Sequence, residues 1–363
     1  MKNDAFIPQM EPLIGKQEVT AVTEYLESGG WLTEHKKTAK LSAMLVEYTG
    51  AKHCVILANG TVTLFASLYA LGISSGDEVV VPDITMIATP NAARLTGATP
   101  VLCDVNPRTG CLDASTLERV ITNRTKAVFL VSLNGRFPGD IDEIENLCSD
   151  KNIFIIEDAA QSLGSFANGK HIGRFGIFGS FSFAMHKIIT MGQGGALITD
   201  NDELASKISM IKNFGRKSDG IDIHSDIGWN FKCTDLQAVV GIEQLKQINQ
   251  RITRKKEMFH KYKECLTCVK EVEFMSTPSE TCPMFVDCFV EKREELIEYL
   301  KQSGIGSRSL YPPVHTQAIY SGLDKNFPVA CFLGKKGVWL PSSLKNSDSD
   351  IDFICHQIMS FYN

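Results

Sequence analysis

Short apolar segments alternate with helix-like segments between residues 50 and 200, and this alternation constrains the fold more than any other feature of the chain. Several segments, such as Glu78–Pro82 and Ala127–Leu133, are apolar along most of their length. Strands of that kind are covered on both faces. Because helical patterns lie between them, the sequence predicts an α/β fold, with a mostly parallel sheet flanked by helices. Ligands of such sheets bind outside the carboxyl ends of the strands.

The predicted strands of this region are His53–Ala58, Glu78–Pro82, Pro100–Val105, Ala127–Leu133, Ile153–Asp158, Ser180–Phe183 and Ala196–Thr199. The predicted helices between them are Thr61–Leu71, Ile87–Leu95, Ala114–Ile121 and Ile141–Asp150. One long helix is predicted from Asp235 to about Leu266, with Thr234 as its N-cap. A smaller α+β region follows, with a strand at Phe285–Val290 and helices at Arg293–Gln302 and Asp350–Tyr362. We therefore expect a large domain over residues 1–245 and a small C-terminal domain over residues 246–363.

The composition narrows the classes of function. The chain has 363 residues, of which 44% are hydrophobic, and a net charge of −5. No basic stripe is visible, which argues against a nucleic-acid partner. The first residues, MKNDAFIPQM, lack the apolar core of an export signal, and runs such as Ala127–Val131 are too short to span a bilayer. We expect a cytoplasmic protein without a membrane partner.

The chain contains 11 cysteines, an odd number that favours reduced thiols over a disulfide framework. Cys265 and Cys268 have the C-x-x-C spacing of half a zinc site, and Cys282, Cys288 and His260 are near in sequence. However, the second pair is spaced C-x5-C, and the first pair falls at the end of a predicted helix. Free thiols are the favoured interpretation, and no metal is expected.

The stretch FSFAMHKIITMGQGG places Lys187 between a predicted strand and a cluster of glycines. A lysine at that position lies near the ligand edge of the sheet, although most lysines are simply solvated surface residues. A lysine that is buried loses proton affinity and becomes a nucleophile that can attack an aldehyde. Adjacent side chains diverge on an extended chain, so His186 is expected to have a packing or supporting role.

Two further stretches belong to the same edge. The strand FIIEDAAQS ends in Glu157 and Asp158, only one of which can face a given side; a carboxylate here can also cap the next helix. In ILANGTVTLF, Gly60 and Thr61 open a helix whose N-terminus suits an anion, a weak indication by itself. A phosphate site, a carboxylate from Asp158 and the amine of Lys187 are together what pyridoxal phosphate requires, because the carboxylate keeps the pyridine nitrogen protonated.

The chain resembles the DegT/DnrJ/EryC1/StrS family of pyridoxal-phosphate-dependent sugar aminotransferases, which have the aspartate-aminotransferase fold (fold type I). The shared motifs extend over nearly the whole chain and include SGGWLT, ANGTVTL, GDEVVVPDITMIAT, IIEDAAQSLGS, HKIITMGQGGALIT, GWNFKCTDLQAVVGIEQL, YPPVHTQAIY and GVWLPSSL. The position of the lysine relative to GQGG, within this ordered set, is the most specific of them.

The resemblance implies roles for individual residues. Lys187 matches the lysine that binds the cofactor aldehyde and later moves a proton. Asp158 matches the partner of the pyridinium nitrogen, and Gln161 the residue that contacts the ring hydroxyl. The phosphate-binding positions are matched by Gly60, Thr61, Ser182 and, from the second subunit, Asn230. A homodimer with shared active sites is therefore implied.

Some positions depart from the family pattern. Met86 stands where the family usually has an aromatic residue against the cofactor ring. Gln193 replaces a glutamate in GEGG, and Ser132–Gly135 replaces His-Leu-Tyr-Gly. The segment after Trp31 also differs from the family's WLTxGP. The last two departures lie near where family members bind their sugar nucleotide, so they affect the expected substrate and not the expected cofactor.

The implied reaction has two halves, with L-glutamate as amino donor and a nucleotide-linked 4-keto-6-deoxyhexose, such as a GDP-4-keto-6-deoxymannose-like sugar, as acceptor. Trp31, His315 and Arg308 are candidate substrate contacts, each of which also has a structural interpretation. A smaller keto-phosphate acceptor and a non-catalytic scaffold are alternatives. A dehydratase is another, because a related branch replaces the lysine with histidine. Counting back from Gly192 places Lys187, not His186, at the key position, which favours transamination.

Overall fold

The computed structural model describes residues 6–218, 220–322 and 326–363. Its strands are β1 (His53–Leu57), β2 (Glu78–Pro82), β3 (Thr99–Cys103), β4 (Thr125–Val131), β5 (Phe154–Asp158), β6 (Phe166–Ala167), β7 (Lys170–His171), β8 (Phe178–Ser182), β9 (Gly195–Thr199), β10 (Val272–Glu273), β11 (Val286–Val290), β12 (Arg308–Ser309) and β13 (Gly337–Leu340).

Its α-helices are α1 (Lys16–Glu27), α2 (Lys36–Thr49), α3 (Gly60–Ala70), α4 (Ala88–Leu95), α5 (Ala114–Glu118), α6 (Ile141–Asp150), α7 (Asp202–Ile211), α8 (Asp235–Lys246), α9 (Ile248–Cys265), α10 (Arg293–Gln302), α11 (Pro328–Lys336) and α12 (Asp348–Tyr362). Short 3₁₀ turns occur at Leu133–Gly135, Val314–Thr316 and Ala318–Tyr320. Among the described residues, no helix is both long and apolar enough to cross a lipid bilayer.

Seven strands form the large sheet, in the order β1-β9-β8-β5-β4-β2-β3. Strands β3, β2, β4, β5 and β8 are parallel to one another, whereas β9 is antiparallel to both β8 and β1. This arrangement confirms the predicted mostly parallel α/β sheet. It also means that β1, β2, β4, β5 and β8 all end at the same side of the sheet, which we call the carboxyl edge.

Burial explains why these segments form strands and a central helix. Strands β2 and β9 are buried along their whole length, as expected for strands with helices on both faces. Helix α3 is apolar nearly all round and contacts α4, α7, β8 and β9. Its N-cap is Asn59, whose side chain accepts a hydrogen bond from the amide of Val62 at 3.0 Å. The start of α3 is therefore fixed at the carboxyl edge.

The small sheet has the order β10-β11-β13-β12, and all its pairings are antiparallel. Helices α9, α10 and α12 cover it through a separate apolar cluster that includes Met258, Tyr262, Val338 and Ile354. A buried ion pair joins the two sheets, since the guanidinium of Arg136, after β4, holds both carboxylate oxygens of Asp287 on β11. This pair fixes the small sheet beside the carboxyl edge.

The single long helix predicted from Asp235 to Leu266 is wrong, because the structure has two helices, α8 and α9, separated at Gln247. Gln247 has φ −99° and ψ 6°, outside the helical range. Its side chain donates a hydrogen bond to Glu18 of α1 at 3.1 Å, as does Gln244 at 2.6 Å. The packing of α1 against α8 thus accompanies the break. The break at Gln247 lies beside the expected domain boundary at residue 245, and that boundary stays a prediction.

Candidate active site

Lys187 lies in the connection between β8 and β9, next to the carboxyl edge. The amide of Phe183 donates to the carbonyl of Gly194 and the amide of Met191 to that of Phe183, so the connection is held at both ends. The side chain of Lys187 is partly buried, and no described residue accepts a hydrogen bond from its Nζ. Burial lowers its pKa to about 8, while the charge of Asp158 opposes the shift. The pKa of the amine is therefore close to physiological pH, and no hydrogen bond to a described residue holds the amine back from reacting.

Asp158, the last residue of β5, is the carboxylate that faces this amine. Its Oδ2 accepts a hydrogen bond from Thr89 Oγ1 at 2.7 Å, and its Oδ1 accepts one from the amide of Ala160 at 3.3 Å. Burial raises the pKa of Asp158, whereas the bond from Thr89 and the charge of Lys187 lower it. The two hydrogen bonds fix the orientation of the carboxylate, and Lys187 is near enough for each charge to affect the ionisation of the other.

The neighbouring carboxylate, Glu157, faces the opposite side of the sheet, as strand alternation requires. It is fully buried and accepts hydrogen bonds from the amides of Gly173, Phe175 and Gly176. All three donors belong to one loop, so Glu157 fastens that loop to β5. Of the two acidic residues at the end of β5, only Asp158 is therefore available to the site.

The start of α3 forms a cradle beside Ser182, the last residue of β8. A Cβ on Gly60 would lie 2.8 Å from the Cβ of Ser182, and one on Gly195 would lie 2.6 Å from the carbonyl carbon of Asn59. Glycine is therefore required at both positions by close approach. No described acceptor takes the amides of Gly60 and Thr61, so the helix N-terminus can bind an anion there.

Gln161 follows β5 and is held at both ends of its amide. Its Oε1 accepts a hydrogen bond from the backbone amide of Asn134 at 2.7 Å, and its Nε2 donates to the hydroxyl of Tyr311 at 3.3 Å. Asn134 has φ 54°, a left-handed conformation that asparagine tolerates. Its side chain bonds the backbone of Phe285 through both Oδ1 and Nδ2. The side-chain amide of Gln161 is thus connected, through Asn134, to Phe285, the residue that precedes β11.

These residues fit pyridoxal phosphate by their chemistry. The N-terminus of α3 and the Ser182 hydroxyl suit the phosphate, the Asp158 carboxylate suits a protonated ring nitrogen, and the free amine of Lys187 suits the aldehyde. Gln161 retains one N–H for an oxygen of the ring. Met86, in the segment between β2 and α4, is 47% exposed, which leaves its thioether available to lie against a ring.

Two other candidates lie close to this group. His186 stacks on Phe285, with ring centroids 6.2 Å apart. Its pKa is lowered to about 4 by burial and by the charges of Lys187 and Arg308, so it is neutral at physiological pH. The Arg308 guanidinium lies 5.4 Å from the ring centroid of Trp339 and is exposed. Arg308 therefore brings a positive charge from β12 toward His186 and the site.

The remaining candidates have contacts of their own outside this group. His315 is bound to the buried Asp83 through Nδ1 at 2.6 Å and through its backbone amide at 2.9 Å. Trp31 is 65% exposed and donates from Nε1 to Thr33 Oγ1. Asn230 is exposed and its backbone pairs with Asn213. In the described part of the chain, no hydrogen bond, ion pair or ring contact joins these three residues to Lys187 or Asp158, and their substrate or cofactor roles stay predictions.

The cysteines do not form a metal centre among the described residues, where no group of three or more potential ligands is found. Cys282 and Cys288 are buried, whereas Cys268 is exposed. All 11 cysteines are free thiols in the structure.

Sequence reasoning missed two residues that shape the site, namely Thr89 and Tyr311, and it noted Asn134 only within the divergent Ser132–Gly135 segment, without its bond to Gln161. Thr89 lies four residues after Thr85 in the segment that follows β2, and their hydroxyls are 3.0 Å apart. The position of Thr89 after a buried strand could have predicted its place near the site, because neighbouring parallel strands end at the same carboxyl edge. Tyr311 reaches Gln161 across 150 positions of sequence, for which the chain offers no local pattern.

Comparisons with known proteins agree with this geometry. A model of the DegT/DnrJ/EryC1/StrS aminotransferase family matches residues 12–359. The chain is 35% identical over 361 residues to GDP-perosamine synthase of Escherichia coli O157:H7, covering 99% of each chain. It resembles a putative sugar aminotransferase of Streptococcus pneumoniae in its PLP form, with a TM-score of 0.91, 27% identity and 98% of each chain covered. It also resembles a Brucella abortus aminotransferase described as DegT DnrJ EryC1 StrS, with a TM-score of 0.88, 28% identity and coverage of 96% and 95%.

Proposed function

The chain belongs to the DegT/DnrJ/EryC1/StrS aminotransferase family and is a pyridoxal-phosphate-dependent aminotransferase, and from this premise we propose its substrates. We propose that it transfers the amino group of L-glutamate to the keto group of a nucleotide-linked keto-deoxysugar, of the GDP-4-keto-6-deoxymannose type. The observation that carries the chemistry is the free amine of Lys187 next to the oriented carboxylate of Asp158.

Lys187 has the properties of both a nucleophile and a proton carrier. With its pKa lowered to about 8, roughly a tenth of the amine is unprotonated at pH 7, far more than for an ordinary lysine. That fraction can attack a carbonyl, and the same Nζ can later take a proton from one carbon and return it to another. The connection between β8 and β9, held at both ends, keeps the amine in place for both steps.

Pyridoxal phosphate, when bound, supplies an aldehyde and a ring that withdraws electrons from the reacting carbon. The negative charge of Asp158 would favour a protonated ring nitrogen and so support that withdrawal. Burial raises the pKa of that carboxyl, and the hydrogen bonds donated by Thr89 and Ala160 offset part of the rise because they stabilise its charged form. Gly60, Thr61 and Ser182 would hold the phosphate, and Met86 would lie against the ring.

The acceptor is proposed from the relative named GDP-perosamine synthase, which aligns along the whole length of this chain. The exposed guanidinium of Arg308 near His186 offers a positive charge for an anionic substrate group. Trp31 offers a large exposed apolar surface for a sugar or a base. His315 is a weaker candidate, because Asp83 already takes its Nδ1.

A homodimer with shared active sites is part of the proposal. Asn230, the expected phosphate ligand from the second subunit, is exposed and therefore accessible to another chain. The preceding segment carries three exposed isoleucines, Ile221, Ile223 and Ile227, with exposed fractions of 53%, 70% and 67%. Clustered apolar side chains that are this exposed to solvent are typical of a surface that binds a partner.

The first experiment is the visible absorption spectrum of the purified protein with pyridoxal phosphate, before and after L-glutamate. We expect a yellow band that L-glutamate bleaches, and no such band in Lys187→Ala.

GDP-4-keto-6-deoxymannose, its UDP-linked counterpart and a small keto-phosphate are then added separately to the bleached enzyme. Return of the yellow band with the GDP sugar alone supports the proposal. Return only with the keto-phosphate would refute the proposed acceptor, and failure of L-glutamate to bleach the band would refute the proposed donor.

A further inference from the structure

The amide of Gln161 has a direction that the surrounding protein fixes. Its Oε1 lies 2.7 Å from the backbone N–H of Asn134, which is a donor and cannot accept. A flipped amide would place NH₂ against that N–H, so the observed direction is the favoured one. One hydrogen of Nε2 goes to Tyr311, at 3.3 Å. The other hydrogen is left for a ligand, which must therefore present an acceptor.

The hydroxyl of Tyr311 extends this donor side. Its oxygen accepts from Gln161, and within the described residues its own hydrogen has no protein acceptor. The ring is held edge-on against Trp339 with centroids 4.8 Å apart, so the hydroxyl cannot easily swing away. Tyr311 is partly buried, and the charge of Asp158 is close enough to affect its ionisation. The free O–H is thus presented in the same space as the free N–H of Gln161.

We propose that Tyr311 is a cofactor-binding residue that acts beside Gln161, so that its O–H and the Gln161 N–H donate to the ring oxygen of pyridoxal phosphate. The backbone amide of Asn134 fixes the direction of the pair. This inference rests on the proposed role of Gln161 and adds a residue to it. Two donors directed at one oxygen favour its anionic form, as charge-assisted hydrogen bonds do.

The ionisation state of Tyr311 is consistent with a donor. Its pKa is raised to about 12, mainly by burial; the charge of Arg308 and the bond from Gln161 lower it, and the charge of Asp158 raises it. The phenol therefore keeps its proton at physiological pH and has it available for the ligand.

The test is the dissociation constant of pyridoxal phosphate, measured by absorption titration of the full-length apoenzyme. We expect Tyr311→Phe, which removes only the hydroxyl, to bind the cofactor roughly tenfold more weakly, the effect of one hydrogen bond to a charged group. Gln161→Glu should keep the acceptor for Asn134 but replace the donor with a second acceptor that also takes the Tyr311 proton. It removes both donors, so we expect a roughly hundredfold loss. The visible band should shift in both variants.

Tyr299→Phe is the matched control, because it removes a phenol hydroxyl that bonds Gln357 in the small domain at 3.2 Å. It should leave the dissociation constant and the band unchanged. Normal cofactor binding by Tyr311→Phe, with or without a raised KM for either substrate, would overturn the inference and leave the proposed function standing. Failure of the wild-type protein to bind the cofactor at all would overturn both.

Discussion

Two lysines with lowered pKa values, the partly buried Lys187 at the carboxyl edge and the fully buried Lys255 on α9, show what separates a reactive amine from a structural one. Burial lowers the pKa of both, to about 8 for Lys187 and to about 7 for Lys255. The Nζ of Lys255, however, donates to the carbonyl oxygens of Met284, at 2.8 Å, and of Ser342, and lies 3.9 Å from the sulfur of Met10. Among the described residues, the Nζ of Lys187 has no such acceptors, and the nearby charge of Asp158 acts on it.

A lowered pKa therefore does not by itself identify a catalytic lysine. Lys255 is the more buried of the two, at 1% exposed, and its amine is used to join α9 to the backbone that leads into β11 and the backbone that follows β13. Lys187 has the charge of Asp158 nearby, and its amine has no hydrogen-bond acceptor in the described part of the chain. The unpaired amine is what a carbonyl can reach, and the following substitutions test that distinction in decreasing order of their expected effect on turnover.

Lys187→Ala should abolish turnover, by roughly 10⁴-fold or more, because it removes both the nucleophile and the proton carrier. Lys187→Arg is the sharper variant. Arginine keeps the positive charge opposite Asp158 but stays protonated and cannot attack an aldehyde. Both variants should show a folded circular-dichroism spectrum and no turnover of L-glutamate. Appreciable turnover in Lys187→Arg would contradict the assignment of the nucleophile.

Asp158→Asn should lower kcat by roughly 100-fold or more, since a neutral amide cannot hold a proton on the ring nitrogen. Glu157→Gln is the matched control, one residue away on the same strand. Its carboxylate serves the loop at Gly173–Gly176, so this variant should lose thermal stability but keep its rate. Equal losses of kcat in the two variants would show that strand disruption, and not the charge of Asp158, is responsible.

Thr89→Val should lower kcat by roughly tenfold and raise the pH at which activity falls on the acid side. The hydrogen bond from Thr89 stabilises the charged form of Asp158, so its loss raises the pKa of that carboxyl. Thr89→Ser retains the hydroxyl and should restore the profile. The measurement is kcat against pH for the three proteins, and an unshifted acid limb in Thr89→Val would contradict the role.

Lys255→Met should leave kcat and cofactor binding unchanged while reducing the free energy of unfolding by about 2 kcal/mol, because two buried carbonyls lose their donor. The pKa of Lys255 is lower in the folded chain than its value of 10.5 in the unfolded one. Between about pH 7 and 10.5 the unfolded state therefore binds more protons, and wild-type stability rises with pH relative to the variant. Denaturant titrations across that window check the sign. Loss of turnover in this variant would show that Lys255 also contributes to catalysis and would contradict its assignment as a structural lysine.

The periodicity of the chain was sufficient to predict the seven strands of the large sheet and β11, but not the short strands β6, β7, β10 and β12, nor β13. The predicted strand ends placed Asp158, Gly60 and the segment that carries Lys187 at one edge. The periodicity could not decide by itself between Glu157 and Asp158, because that depends on which side the loop at Gly173–Gly176 takes. It also missed the break at Gln247, where the partner is Glu18 of α1, 229 positions away in sequence. Contacts of this kind leave no local pattern, and the same applies to Tyr311.

The pairing of β1 with β9 has a consequence for synthesis of the protein on the ribosome. Leu57 pairs with Gly195, and β9 lies between β1 and β8, so the sheet that holds Gly60 beside Ser182 is complete only after residue 195 has emerged. Pairings that close so late slow folding and leave strand edges open in the meantime. The cofactor can therefore be captured only after most of the large sheet has been translated.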